Sequence, residues 1–284
     1  MTVNLQQALA DKIRQKLKSG ELKLPALPDT VLKVRAIIDD ESKGAMDISK
    51  VLSEDATFST VVFRLANSAR FNTSAHEIRS LSMAVQRIGA RRILHLLISI
   101  ASKMFMHVSQ PELRALLKET HDRSLLIATA AQHLARMTAK ADPEEAFMAG
   151  LLHDEGIGAL ISGIPEKLVA CPAETRRPLL ELLHREMGAR LLNHWGLPNI
   201  YILTAMHHGI ESSSRPREPL IDCVDVAEFL TRRISQDKQA AAPEASSEFP
   251  PCVRLRLSDA QLIAVEMEVE DSIEELREIF DMEA

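Results

Sequence analysis

Aromatic side chains are scarce in this sequence: eight Phe, one Trp and one Tyr make up 4% of 284 residues. A surface that stacks nucleic-acid bases needs aromatics interleaved with basic residues, and no stretch here has that pattern. Cysteine is equally sparse. Cys171, Cys223 and Cys252 are odd in number, far apart and free of any CxxC spacing, which argues against a disulfide framework and against a thiolate zinc site. A reducing, cytoplasmic setting is the expectation. Long apolar runs are missing too. The longest, ILHLLISIASKMFM, is shorter than the roughly 18 residues that a membrane span requires. The amphipathic start, MTVNLQQALADKIRQKLKSG, lacks the continuous apolar core of an export signal.

What the chain does have is apolar and charged residues in helical order. Hydrophobic residues are 46% and charged residues 26% of the total, with long stretches rich in Ala, Leu, Glu, Lys and Arg. No segment alternates strictly between apolar and polar, so an all-α fold is predicted. The net charge of −6 is unevenly spread. Residues 60–110 carry Arg64, Arg70, Arg79, Arg87, Arg91, Arg92 and Lys103 against the single acid Glu77, whereas residues 258–284 carry ten acids and one base, Arg277. The Arg87, Arg91 and Arg92 cluster is an interaction-surface candidate. Basic residues on the solvent sides of amphipathic helices explain it more simply than nucleic-acid binding does.

Local signals divide the chain. Leu5, Leu9, Ile13 and Leu17 form a helical stripe that Gly20 can end. LPALPD then breaks the chain before a helix through Val31, Val34 and Ile38. Asp47 and Asp55 are candidate caps for the next two helices, FNTSAHEIRS supplies turn residues, and Ser80 opens the following helix. Asp142, followed by Pro143, Glu144 and Glu145, marks a strong helix start, and Gly156 is a candidate stop just after His153 and Asp154. Ser258 and Gln261 can cap a last helix reaching about Phe280. These boundaries predict an N-terminal helical lobe over about 20–110 and a second lobe over about 111–234. A flexible loop over 235–251 and an acidic C-terminal helix within 252–284, packing on the second lobe, complete the division.

The chemistry gathers in one window of 56 residues that contains His153, Asp154, His184, His207 and His208. Imidazoles and a carboxylate converging from several helices could hold a divalent metal and acidify a water. His184 shares a helical stripe with Leu180, Met187 and Leu191, and His207 falls on the stripe of Leu203 and Ile200, so both are expected to point inward. A lone inward His is usually a satisfied core residue; several together bring a metal site into equal contention.

The ordered motifs LPALP, LANSARFN, AVQRIGARRIL, FMAGLLHDEG, MGARLLNHWGLP and AMHHG resemble the HD-related output domain, or HDOD, family over about residues 20–215. The resemblance implies an all-helical fold in which an N-terminal helical lobe packs on a lobe similar to HD phosphohydrolases. It also implies a bacterial signalling or regulatory role, with hydrolase activity generally lost.

Departures from the active HD pattern refine this. The resemblance places Arg123 where active members carry the first ligand His, and Glu228 where they carry the distal Asp, with Asp225 the less suitable alignment. His121 is about 200° away from position 123 around a helix and is a poor substitute. Gly156, Ile157 and Gly158 stand where members related to cyclic-dinucleotide phosphodiesterases carry a Lys. The hypothesis is that Arg123 replaces the metal charge and pairs with Asp154; the alternative is that it reaches the lobe surface. The expected protein is therefore a non-catalytic signalling module with no cofactor, acting through signalling partners or a small anionic ligand. No receiver, GGDEF or kinase segment is found, so input and output are expected through protein association. The competing expectation is a phosphohydrolase of nucleotides or cyclic dinucleotides holding Mn, Fe, Zn or Mg through His153, Asp154, His184, His207 and His208.

Overall fold

The computed structural model describes residues 2–68, 77–105, 108–235 and 249–280. Among them are fifteen helices and no strand, as the composition predicts. They are α1 (Thr2–Lys18), α2 (Asp29–Ile38), α3 (Ala45–Ser53), α4 (Ala56–Asn67), α5 (Leu81–Ile88), α6 (Ala90–Phe105), α7 (Pro111–Thr138) and α8 (Pro143–Leu152). There follow α9 (Glu155–Gly163), α10 (Pro165–Ala170), α11 (Ala173–His194), α12 (Asn199–His207), α13 (Pro219–Ser235), α14 (Pro250–Leu255) and α15 (Asp259–Phe280). No helix among the described residues is long and apolar enough to cross a membrane.

Two compact units emerge: Leu27–Met104 with Glu274–Ala284, and Met1–Ala26 with Phe105–Ile273. In the first, Val31, Val34, Ile48, Leu52, Phe58 and Val62 are buried. Asp55 caps α4 by accepting from the amides of Thr57 and Phe58. Asp47 is not the cap that sequence suggests. It sits in the first turn of α3, where its carboxylate accepts from Gly44 N at 2.9 Å, so the helix starts three residues earlier. Most of the expected turn over 71–80 lies outside the described residues, but Asn67 clasps its far side, exchanging hydrogen bonds with the Ile78 amide and carbonyl at 2.8 and 3.0 Å.

The second unit is organised on the 28-residue α7, which α8 and α13 flank. Residues 20–26 join this unit, although the sequence groups them with the first lobe. Trp195 Nε1 donates to Pro25 O at 2.8 Å and Arg14 pairs with Glu186 at 2.9 Å, which ties α1 and the following segment to α11. At the other end, residues 236–248 of the expected loop lie outside the described residues. Pro250 and Pro251 already belong to α14, and Phe249 stacks on Phe229 at 5.0 Å. Ser258 and Gln261 exchange capping bonds at the start of α15.

Two glycines let helices cross with their backbones in contact. A Cβ on Gly150 would lie 2.7 Å from Ala128 Cα on α7. A Cβ on Gly156 would overlap His184 O and come within 2.5 Å of Gly188 N, both on α11. Gly156 therefore does not stop a helix. It lies inside α9, whose first turn presses on α11 so closely that no side chain fits. His153 and Asp154 form the joint between α8 and α9, held between these two crossings. Gly156→Ala is expected to destabilise the protein by about 3 kcal/mol, since the overlap is with backbone atoms that cannot rotate away. Urea denaturation gives this value, and a loss below about 0.5 kcal/mol would show that the crossing relaxes freely.

Candidate functional site

Asp154 is the centre of the site and is 1% exposed. Its two carboxylate oxygens face different partners. Oδ2 accepts a short hydrogen bond from Arg123 Nη2 on α7 and lies 3.3 Å from His153 Nε2. Oδ1 lies 3.6 Å from His184 Nε2 on α11 and 3.4 Å from His208 Nε2 at the end of α12. Glu228 on α13 completes the first group, with Oε1 at 3.5 Å from His153 Nε2.

Arg123 lies one turn before Ile127 on α7, and Ile127, Ala130 and Leu134 are all buried. Its side chain is 39% exposed, although its Nε is buried and its Nη2 meets Asp154. Arg123 also lines an open groove of about 570 Å³ along α7 and α13, whose walls combine the bases Lys118 and Arg232 with the acids Glu119, Asp122 and Glu228.

The three imidazoles share one arrangement. Nδ1 of His153 is 2.6 Å from Gly150 O, Nδ1 of His184 is 2.8 Å from Glu181 O, and Nδ1 of His208 is 3.1 Å from Thr204 O. Carbonyls only accept, so each Nδ1 carries a proton and each Nε2 faces the pocket. His184 Nε2 and His208 Nε2 are 3.2 Å apart. Two lone pairs at that distance repel unless a proton or a cation lies between them. Asp154 Oδ1 has no hydrogen-bond partner despite being buried. Donor atoms 3.2–3.6 Å apart, as in this triangle, match the separations kept around one first-row ion at ~2.0–2.1 Å. Asp154, His184 and His208 therefore fit a single divalent cation; His153, His208 and Glu228 form a second possible donor group, and a guanidinium already holds Asp154 Oδ2.

Electrostatics follow this division. Burial opposes the charge on His153, but Asp154 and Glu228 outweigh it and raise its pKa to about 10. Burial likewise works against ionised Glu228, and His153 and His208 overcome it, lowering its pKa to about 2. Asp154 is held well below the usual carboxylate range, where His153 and His208 overcome its burial. His184 moves the other way: burial lowers it, and Asp154 only partly offsets that.

Sequence reasoning placed His207 among the inward residues, and the structure does not bring it into the cluster. The buried stripe of α12 runs through Tyr201, Thr204 and Ala205, not Ile200 and Leu203, and His208 continues it one turn after Thr204. His207 is half-buried beside it. Asp225 faces away from His153 and accepts instead from Gly209 N at 2.9 Å and Arg215 Nη2 at 2.6 Å. Arg215, fully buried, escaped notice because SSSRPREPL has only turn signals. The available clue was Asp222 and Asp225, two acids one turn apart among the apolar residues Leu220, Ile221, Cys223, Val224 and Val226, which require a buried cation. Arg87, Arg91 and Arg92 are exposed at the α5–α6 junction.

A family model for the HDOD domain matches residues 24–210. The chain belongs to the HDOD family. Among solved structures, an HDOD domain protein with unknown function from Geobacter sulfurreducens is 24% identical, with a TM-score of 0.69 and 98% of each chain covered. A "putative metal-dependent phosphohydrolase" from Shewanella amazonensis SB2B is 18% identical, with a TM-score of 0.73, covering 94% of this chain and 99% of that one. These likenesses establish the helical HDOD fold. An uncharacterized protein of Treponema pallidum (strain Nichols) is 27% identical over 242 residues, which is 81% of this HDOD chain and 45% of that protein.

The opposite shifts of His153 and Glu228 predict a pH window for the metal-free protein. A raised His pKa contributes stability that is complete below 6.5 and is lost as pH rises toward about 10. A lowered Glu pKa contributes stability that is complete above 4.5 and is lost as pH falls toward about 2. Chemical denaturation in the presence of chelator should show a plateau between these limits and an alkaline decline. That decline should shrink in His153→Gln; an identical decline in the variant would assign it to other groups.

Proposed function

We propose that this HDOD chain is a regulatory module without hydrolase turnover, acting through association with signalling proteins or by sensing a small anionic ligand. The observation that supports it is the Arg123 guanidinium on Asp154 Oδ2. Arginine stays charged at all working pH values and cannot exchange, acidify a water or leave a coordination position open. On that side of the pocket it supplies the charge balance of a metal without its reactivity. The groove alongside α7 and α13, which Arg123 lines, offers an anionic ligand a place to meet that residue. Arg87, Arg91 and Arg92 offer a basic surface to a protein partner, and the lack of nearby aromatics disfavours nucleic acid.

The second reading, a metal-dependent phosphohydrolase acting on a nucleotide or cyclic dinucleotide, is favoured by the donor triangle. Asp154, His184 and His208 would hold the ion, and their imidazole-rich chemistry suits Zn, Fe or Mn better than Mg. When bound, it would supply a Lewis acid able to acidify a water. His153 and Glu228 would then keep Asp154 oriented and the pocket charge balanced.

Metal analysis and an assay with bis-p-nitrophenyl phosphate separate the readings. The expected result is at most one equivalent of Zn, Fe or Mn and no turnover above the metal-free control. Turnover that Asp154→Ala abolishes would establish the hydrolase. Arg123→Ala is expected to cost about 1–3 kcal/mol, below the ~3–5 of a fully buried pair because the arginine is 39% exposed. Arg123→His restores an imidazole at that position and is expected to raise divalent-metal content.

A further inference from the structure

The stretch matched by the HDOD model ends at residue 210, directly after His208 and Gly209. Thr204 holds His208 from within it, but the side chain that holds Gly209, Asp225, lies beyond it. α12 ends at His207, and His208 leaves the helix with ψ 146. Gly209 then takes φ +65, a left-handed conformation that reverses the chain. The His208 amide still donates to Thr204 O at 2.9 Å and its Nδ1 lies 3.1 Å from the same carbonyl, so α12 fixes one side of the residue. Its next restraint is the Gly209 amide, which donates to Asp225 Oδ1 on α13 at 2.9 Å.

Asp225 is in turn one end of a chain of ion pairs. Its Oδ2 accepts from Arg215 Nη2 at 2.6 Å, and Arg215 Nη1 lies 3.0 Å from Asp222 Oδ1. Arg254 on α14 grips Asp222 from the other side, with Nε at 2.9 Å from Oδ2 and Nη2 at 2.7 Å from Oδ1. The same guanidinium reaches back to Glu211, with Nη1 and Nη2 at 2.9 and 3.1 Å from its two oxygens. Arg217 Nη1 donates to Glu211 Oε1 at 2.9 Å. Three arginines therefore balance three carboxylates, and the loop from Gly209 to Arg217 is pinned at Gly209, Glu211, Arg215 and Arg217. The Arg215 side chain is 0% exposed and Asp222 and Asp225 are 5% and 4% exposed.

Such a network is not the least costly way to dock a six-residue helix. Buried ion pairs give less stability than apolar packing of the same volume, whereas forked guanidinium contacts fix relative orientation. We infer that Arg254 is a positioning residue for His208: by gripping Asp222 and Glu211 it holds Arg215, Asp225 and Gly209, and the seating of α14 thereby sets the direction of the His208 imidazole. This places control of a pocket residue in a helix outside the family-matched stretch, beyond residues 236–248. It rests on the pocket being the functional site and does not require a bound metal.

The test uses the full chain with chelator and reads the histidine rings by long-range proton–nitrogen NMR. In Arg254→Gln, the His208 ring signals are expected to shift and broaden as Nε2 loses its fixed direction, while exposed His194 at the end of α11 stays unchanged. The thiol of Cys252, buried on α14 and with its pKa pushed up to about 11 by burial, should react at least ~10-fold faster with a thiol reagent as the helix loosens. Arg254→Lys keeps the charge and loses the fork, so an intermediate His208 shift is expected; it also serves if the glutamine variant fails to fold. An unchanged His208 signal in either folded variant would overturn the inference, whether or not Cys252 becomes reactive. In a parallel titration with Zn²⁺ alone, Arg254→Gln is expected to weaken binding by about 10-fold. A wild-type protein that takes up no Zn²⁺ would refute the cation half-site and leave the ring signals to decide this inference.

Discussion

The structure depends on compensating one buried negative charge. Asp154 has almost no contact with solvent, and an isolated carboxylate in that position would be neutral or would prevent folding. Its partners come from four places: Arg123 on α7, His153 at the α8–α9 joint, His184 on α11 and His208 at the end of α12, while Glu228 on α13 shares His153. Each helix must arrive in a particular register for the charge to be met. The glycine crossings at 150 and 156 are part of this requirement, because they let α8 and α9 approach α7 and α11 closely enough for side chains as short as Asp and His to meet.

The division of Asp154 between its two oxygens also organises the functional argument. On the Oδ2 side a guanidinium brings one permanent charge with directional donors, so this half has a single state over the working pH range. The Oδ1 side is different. Two Nε2 atoms and an oxygen without a partner face one another, and a proton or a cation changes their mutual repulsion. The pocket therefore has one half filled by a permanent charge and one half whose state depends on a proton or a cation.

Much of this was legible locally. The all-helical fold follows from composition and apolar spacing, and the caps at Asp55, Asp142 and Ser258 follow from short-range hydrogen bonding. Asp47 shows the limit of the same logic: a carboxylate in the first turn can accept from the residue before the helix as well as cap from outside it. His207 and His208 show a second limit. Adjacent residues at a helix end differ by about 100° in direction, so of the two candidates the wrong apolar stripe turns His207 inward where the structure turns His208 inward.

The sequence by itself determined the helices, their punctuation, the family and the charged residues that needed partners, because these follow from propensity, spacing and ordered motifs within a few residues of one another. Only the tertiary structure decided what each charge met. It gave Asp154 to Arg123 and three imidazoles, Glu228 to His153, and Asp225 to Arg215 and Gly209, and it used Gly156 as a point of contact between helices. Those outcomes depend on backbones separated by tens of residues approaching within a few ångströms, and on the cost of leaving any buried charge unpaired. No local pattern encodes either distance.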